Sequence, residues 1–552
     1  MSGGGSPLTT TRRLGPGGVQ RTGPAAAYRS LALIEGEPHL VRTEFGACGA
    51  QSRAPRRLLL SLAHLTDLQL ADVQSPVRFE FLNRQFADPR YAEIVPVQRP
   101  QEALTAHAVD AMLRTVNTAH GPAIGAPPEL VVTTGDSIDN AQWNEVQAFL
   151  ALFDGGQVAM NSGGPGYYGV QSVDWPDDIF WKPDGVAASG PDLFRAAFGF
   201  PHYPGLLSRA LAEFSAPGLQ LPWLSCFGNH EALSQGVGVV TAQLAAALVG
   251  DSKPWRQPDD FDHDRALEIF THFPEAFLAG PSRPVVADPD RRPVSRQEFV
   301  AAHFRAGARP AGHGFTDRNR RDGTAYYVYD TPSVRLIALD TNCLAGGAAG
   351  CLDHDQAQWL EGQLAAVHSA YQAPDGSEIC TSGEDRLVVV FSHHGVDSLI
   401  HPLVGHSGPD GQPLLGADGI VNLLHRFPNV VLWLNGHTHL NAVRPRQRQG
   451  NANRGFWEVT TSSIVDWPCQ ARLVELVESA GELSIFCTMI DHDSPLGPRS
   501  LESGRDLAAL HRELAANMPF AGLESARPGT HADRNVELRM AAPFPLAQLR
   551  PR

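Results

Sequence analysis

Five short stretches place Asp, Asn, Gln and His directly after apolar runs: Asp67-Leu68-Gln69, 135-GDSIDN-140, 228-GNHE-231, 393-HHG-395 and 435-NGHTH-439. Carboxylate, amide and imidazole donors together suit Zn, Fe or Mn, and a larger share of oxygen shifts the preference toward Mn. Two such cations a few ångströms apart need a bridging carboxylate; they can generate hydroxide at neutral pH and clamp an in-line displacement at phosphorus. The i, i+2 spacing of His437 and His439 puts two imidazoles on one face, one for each cation. In isolation Asp67-Leu68-Gln69 reads as a turn. At a strand end, ahead of four further polar strand ends, it reads as a ligand pair.

The elements that must position these residues are legible as apolar runs. Strands are expected at 58–65, 129–134, 222–227, 334–340, 387–392, 429–434, 456–461, 472–477 and 483–490, with a short one at 38–45. Apolar residues at i, i+3 and i+4 predict helices over 102–119 and 355–367, and a further helix is expected at 501–518. The mixture indicates an α/β class. Residues 1–54 read as an N-terminal arm, flexible in its first part, and 496–552 as a C-terminal helix and tail. Two segments interrupt the central 55–495 region, at about 150–220 and 235–324; insertions of that length are usually lids or small subdomains.

The bulk composition excludes several classes. With 552 residues, 43% hydrophobic and 19% charged, the chain is an ordinary globular one of more than minimal size. A net charge of −15 argues against broad electrostatic binding of nucleic acid or an anionic membrane. There is no run of about 18 apolar residues, so no membrane span is expected. The seven cysteines form no CxxC pair, which argues against a disulfide scaffold or zinc knuckle; Cys343 and Cys351 flank a Gly-rich loop and could pair in an oxidising compartment. Arg12-Arg13 is not followed by a hydrophobic segment, so the cytoplasm is the expected location, with export if a twin-arginine signal lies upstream.

The ordered set GD-x-x-D, GNHE, SHH and GHTH, with Asp67-Leu68-Gln69 ahead of it, resembles the calcineurin-like metallophosphoesterase superfamily over roughly residues 57–490. The layout with long inserts is similar to an actinobacterial group of that superfamily. The resemblance implies a four-layer αββα sandwich, two packed mixed β-sheets flanked by helices. It implies that Asp136 bridges two divalent metal ions, that Asp67, Gln69 and His439 complete the first site, and that Asn229, His393 and His437 complete the second. His394 competes with His393 for that place. His230 would protonate the leaving oxygen or stabilise its charge, and Asp139 would orient that imidazole by accepting its other N–H. The family's usual D-x-H is D-x-Q here, and a Gln oxygen in place of imidazole favours Mn²⁺ over Zn²⁺. The stretch 67-DLQLAD-72 also looks like the first motif of the Mn-dependent ADP-ribose/CDP-alcohol diphosphatases.

His313, Arg318 and Arg321 in the second insertion are candidate substrate-binding residues, weighed against a solvated face for the arginines. The expected function is a metal-dependent hydrolase, a phosphodiesterase with a bridging hydroxide that attacks a small phosphodiester or diphosphate. The alternatives are a nucleoside-diphosphate-linked diphosphatase and, from another class, a non-catalytic metal-binding module. The sequence leaves the oligomeric state open.

Overall fold

A computed structural model describes residues 7–46, 55–343, 347–400, 412–519 and 521–549. The chain is a mixed α/β protein with two large sheets. The first has seven strands in the order Leu40–Phe45, Val536–Ala541, Glu482–Asp491, Gln470–Ser479, Arg57–Leu65, Leu130–Thr133, Trp223–Leu224. The second has six, in the order Tyr327–Asp330, Val334–Ala338, Leu387–Phe391, Val430–Asn435, Asn451–Thr460, Ala442–Arg448.

Each sheet contains a run of parallel strands. Arg57–Leu65, Leu130–Thr133 and Trp223–Leu224 run together in one, and Val334–Ala338, Leu387–Phe391, Val430–Asn435 and Asn451–Thr460 in the other. Their carboxyl ends are in register: Leu65 faces Thr133, and Phe391 faces Leu434. Parallel strands are covered on both faces, which is why 388-VVV-390 and 430-VVLWL-434 are uninterrupted apolar runs rather than alternating ones. Alternate residues still separate two environments. Leu336, Val389 and Leu434 share a core with Leu62 and Val131 of the first sheet. Ile337, Val388, Val390 and Trp433 pack on Leu360, Leu364 and Leu424 of the helices His354–Ala365 and Ala417–His425. Val109 and Met112 of the helix Thr105–Val116 and Leu510 of the helix Gly504–Ala516 belong to the core built on the first sheet.

The strand expected at 38–45 and the helix expected at 501–518 are present as Leu40–Phe45 and Gly504–Ala516, and the chain ends carry three further strands. Arg12–Thr22 and Ala27–Glu35 form an antiparallel hairpin, anchored where Tyr28 Oη donates to Glu513 Oε1 at 3.0 Å and where Leu31 packs on Trp467. Leu40–Phe45 pairs in parallel with Val536–Ala541, so the N-terminal arm and the tail both enter the first sheet. The run 536-VELRMA-541 alternates apolar and polar residues over only six positions, lies outside the expected strands, and is held by strands on both sides. Cys48 lies outside the described residues. Cys343 and Cys351 are not joined by a disulfide; their thiols are hydrogen-bonded to each other.

The insertions carry their own small elements, among them Leu193–Phe198 in the first and Ala242–Leu248, Ala266–His272 and Arg296–Ala302 in the second. Phe79, Phe81, Tyr91, Ile94 and Val97 join Val237, Phe270 and Phe277 in a separate apolar cluster. This satellite core brings residues 94–97 and 237 against the strand ends described next.

Candidate metal centre

The five polar strand ends meet at one place, where the carboxyl ends of the two parallel runs adjoin. The loop after Leu65 lies along the loop after Thr133: the Asp67 N–H donates to Gly135 O (3.1 Å) and the Gln69 N–H to Asp136 O (2.8 Å). The second sheet is tied to the first through the His393 Nδ1–H bond to Thr134 O (2.8 Å) and the His437 N–H bond to Asp67 Oδ2 (3.0 Å). Glu231, buried, accepts from the N–H groups of Asp136 (2.9 Å), Ser137 (2.6 Å) and Gly228 (2.7 Å), and so fixes the third loop to the second. Burial and then Asp136 push its carboxyl up to about 8.

The backbone is strained where the donors sit. Of ten described non-glycine residues with positive φ, five are Asp67, Gln69, Asp136, His437 and His439. Each such residue stores about 1–3 kcal/mol that the surrounding fold must offset, a pattern concentrated at functional sites. The glycines beside them are needed for close approach. Gly135 has φ +90°, and a Cβ there would lie 2.8 Å from Gly228 N and 3.1 Å from His393 Nδ1. A Cβ on Gly436 would collide with Thr66 Oγ1.

In nearly every donor one polar atom is engaged by the protein and another is left facing the common gap. Asp67 Oδ2 accepts from Thr66 Oγ1 (2.7 Å) and the His437 N–H, while buried Oδ1 has no hydrogen-bond partner. Asp136 Oδ1 accepts from the His230 N–H (2.9 Å), and Oδ2 lies 3.1 Å from His393 Nε2. Asn229 Nδ2 donates to Gly236 O (2.9 Å), which turns Oδ1 toward His437 Nδ1 at 3.2 Å. His439 Nδ1 donates to Asp466 Oδ2 (2.7 Å), leaving Nε2 3.3 Å from Asp67 Oδ1. His393 Nε2 and His437 Nδ1 are 3.1 Å apart. Gln69 Nε2 donates to His230 Nε2 (3.1 Å), and buried Gln69 Oε1 has no partner.

His393 and His394 are distinguished by their partners. His394 accepts at Nδ1 from Thr341 Oγ1 (2.8 Å) and donates from Nε2 to Ala348 O (3.0 Å), so both its nitrogens are used. His393 instead turns Nε2 into the gap, beside Asp136 Oδ2 and His437 Nδ1.

The electrostatics call for positive charge. Asp67 and Asp136 are buried, and among the described residues neither is paired with Lys or Arg; histidines are their only partners of that kind. Burial would raise the Asp136 carboxyl, but His393 and His230 hold it far below the ordinary range. Burial likewise opposes the lowering of Asp67, which His439 brings about. The His393 imidazole, which burial would lower, is pushed up to about 9 by Asp136, whereas burial and then His393 push His437 down to about 3. Buried carboxylates beside imidazoles that cannot all be protonated are a donor set suited to divalent cations. Gln69 Oε1 is an oxygen acceptor for which the protein provides no donor, and Asp67 Oδ1 makes no hydrogen bond, with only His439 Nε2 beside it at 3.3 Å.

His230 is oriented differently from expectation. Its Nδ1 donates to the main-chain O of Asp139 at 2.6 Å, not to the carboxylate, whose Oδ1 is 3.7 Å away. The Asp139 carboxylate is occupied by buried Arg78, whose Nε donates to Oδ2 at 2.9 Å. His230 Nε2 faces the gap, 3.8 Å from Asp136 Oδ2.

The gap opens into a cavity of about 150 Å³ whose wall includes Gln69, Asp136, Asn229, His230 and His437 on the polar side. Ile94, Pro96, Val97, Val237 and Ala348 form its apolar side, and Arg99 also lines it. The three substrate-binding candidates of the second insertion are elsewhere. His313 is buried, stacked on Trp223 at 3.7 Å and 3.0 Å from Asp154 Oδ1. Arg318 and Arg321 are solvent-exposed and paired with Asp322 on their own helix. Sequence reasoning missed Asp466, which holds His439 and is itself paired with Arg99 and Arg527. It lies just past the strand Asn451–Thr460, a sixth polar strand end of the same kind.

No family model matches the chain, and no curated protein matches it.

Proposed function

We propose that the chain is a binuclear metal-dependent phosphoesterase of the calcineurin-like metallophosphoesterase superfamily, with the two sheets and their helices as a four-layer αββα sandwich. The observation that carries this reading is the pair of buried acceptors that make no hydrogen bond, Asp67 Oδ1 and Gln69 Oε1, among donors whose other polar atoms are engaged. Asp67, Gln69 and His439 would hold one divalent ion, Asn229, His393 and His437 the other, and Asp136 would be shared. Bound there, two such ions supply an acidified water at neutral pH and neutralise charge on a phosphoryl group.

The remaining chemistry belongs to the chain's own residues. Asp139, through its main-chain O, fixes the proton of His230 on Nδ1 and aims Nε2 at the gap. As the imidazolium, with a second proton on Nε2, His230 would stabilise charge on a departing oxygen or deliver that proton to it. The apolar side of the cavity, with Ile94, Pro96, Val97 and Val237, offers a surface for the substituent on that oxygen. A cavity of about 150 Å³ is small beside the usual several hundred for larger ligands, which favours a small phosphodiester over a nucleoside-diphosphate-linked substrate.

The test is hydrolysis of bis-p-nitrophenyl phosphate by metal-stripped protein refilled with Mn²⁺ or Zn²⁺. Mn²⁺-dependent cleavage that is lost in Asp136→Ala, and slowed about 10²–10⁴-fold in His230→Ala with metal content retained, is the expected result. Full activity in Asp136→Ala would overturn the proposed centre. A metal-replete protein inert on all esters would favour the non-catalytic module.

A further inference from the structure

A second cavity, of about 420 Å³, lies at the other end of the six-stranded sheet. Val430 is in its wall and begins the strand whose far end leads to His437. At about 3.3 Å per residue, the two places are roughly 20 Å apart along that strand. The walls come from the hairpin Ala370–Gln372 and Glu378–Cys380, the end of the helix Ala417–His425, and the turn between Ala442–Arg448 and Asn451–Thr460.

Its charge runs against that of the chain. The protein carries −15 overall, yet Arg426, Arg448 and Arg454 line this cavity with Glu378 as the sole carboxylate in its wall. Arg426 is committed to Glu361 Oε1 (2.5 Å) and Gln372 O (2.8 Å). Arg448 donates to the neutral Gln372 Oε1, and Arg454 is exposed with no ion-pair partner among the described residues. Two guanidinium charges therefore remain without a carboxylate. Beside them Tyr371 is half-buried and stacked on Phe427, with centroids 4.8 Å apart and planes at 23°.

We propose that this cavity binds a small aromatic anion of the mononucleotide class, with its phosphate on Arg448 and Arg454 and its ring against the face of Tyr371 that is turned away from buried Phe427. Guanidinium groups match phosphate oxygens in a bidentate fashion, and aromatic faces accept planar rings. The volume falls in the range of small-ligand sites, larger than inorganic phosphate alone requires. A nucleic-acid strand is disfavoured by the chain's net charge. This site does not depend on the reading of the metal centre.

The experiment is calorimetric titration of the full chain with AMP, adenosine and inorganic phosphate. AMP is expected to bind the wild-type protein and Asp136→Ala equally. It is expected to bind about tenfold or more weakly to Arg448→Ala/Arg454→Ala, and more weakly to Tyr371→Ala. Adenosine and phosphate alone are each expected to bind less tightly than AMP. Arg454→Ala alone changes an exposed side chain, and thermal unfolding of each variant separates lost binding from lost folding. The proposal is overturned if AMP does not bind, if the arginine variants bind it unchanged, if Asp136→Ala abolishes its binding, or if phosphate binds as tightly as AMP.

Discussion

His439 and Asp466 form a buried pair in which Nδ1 donates to Oδ2 at 2.7 Å, and this bond determines that Nε2, not Nδ1, faces Asp67. Asp466 is held in turn by Arg99 and Arg527. Burial would raise its carboxyl, but Arg527 and Arg99 keep it well below the usual range, so it remains an acceptor at any working pH. Removing it in Asp466→Ala frees the ring to change tautomer and leaves two arginines beside the centre. Metal affinity should fall about 10–100-fold, measured by metal content after dialysis against graded Mn²⁺. Unchanged content would mean that the ring does not serve a metal.

Gln69 should set the choice of metal. Replacing its amide by imidazole in Gln69→His adds a nitrogen donor and removes the hydrogen bond to His230. The ratio of Zn²⁺- to Mn²⁺-supported hydrolysis should rise. If the ratio does not move, Gln69 acts only through His230.

Metal removal should destabilise the fold, because the two buried carboxylates then face each other with histidines alone as counter-charges. Mn²⁺ at about a hundred times its Kd should contribute about 2.7 kcal/mol, read as a rise in Tm over the chelated protein. Equal Tm values with and without metal would count against a site in this cluster.

Gly436→Ala should lower Tm and metal content together, since its new Cβ collides with Thr66 Oγ1 beside Asp67. A normal Tm with normal metal content would show that the loop can shift freely.

Acidification should destabilise the protein through buried neutral histidines. Burial is the main cause that holds His64, His303 and His511 down to about 3. In the unfolded chain the same groups titrate near about 6.5, so below that pH the unfolded state binds more protons. The stability they contribute is complete above about 6.5 and is lost progressively as pH falls toward 3. His511→Phe should make the decline of Tm between those limits shallower; an unaltered slope would assign the acid sensitivity to other groups.

Much of the architecture was legible because it is locally encoded. Apolar runs such as 58–65, 387–392 and 429–434 are strands whichever partners they find, and Asp67, Asp136, Asn229, His393 and His437 follow such runs directly. Motif order therefore sufficed to nominate the cluster. The tertiary structure decided what depends on distant partners. His393 faces the gap because its Nδ1 bonds Thr134 O, 259 residues away in the chain, while Thr341 and Ala348 use up His394. Asp139 holds His230 by its main chain because Arg78 takes its carboxylate. His313 goes to Asp154 and Trp223, and the arginines of its insertion go to solvent. Arg12–Thr22 and Ala27–Glu35 are strands through pairing with each other, and Val536–Ala541 is a strand through the partners on both its sides, Glu482–Asp491 and Leu40–Phe45. Local propensity and motif spacing are properties of a few neighbouring residues; which atom of a side chain is free is settled by hydrogen bonds that only folding brings together.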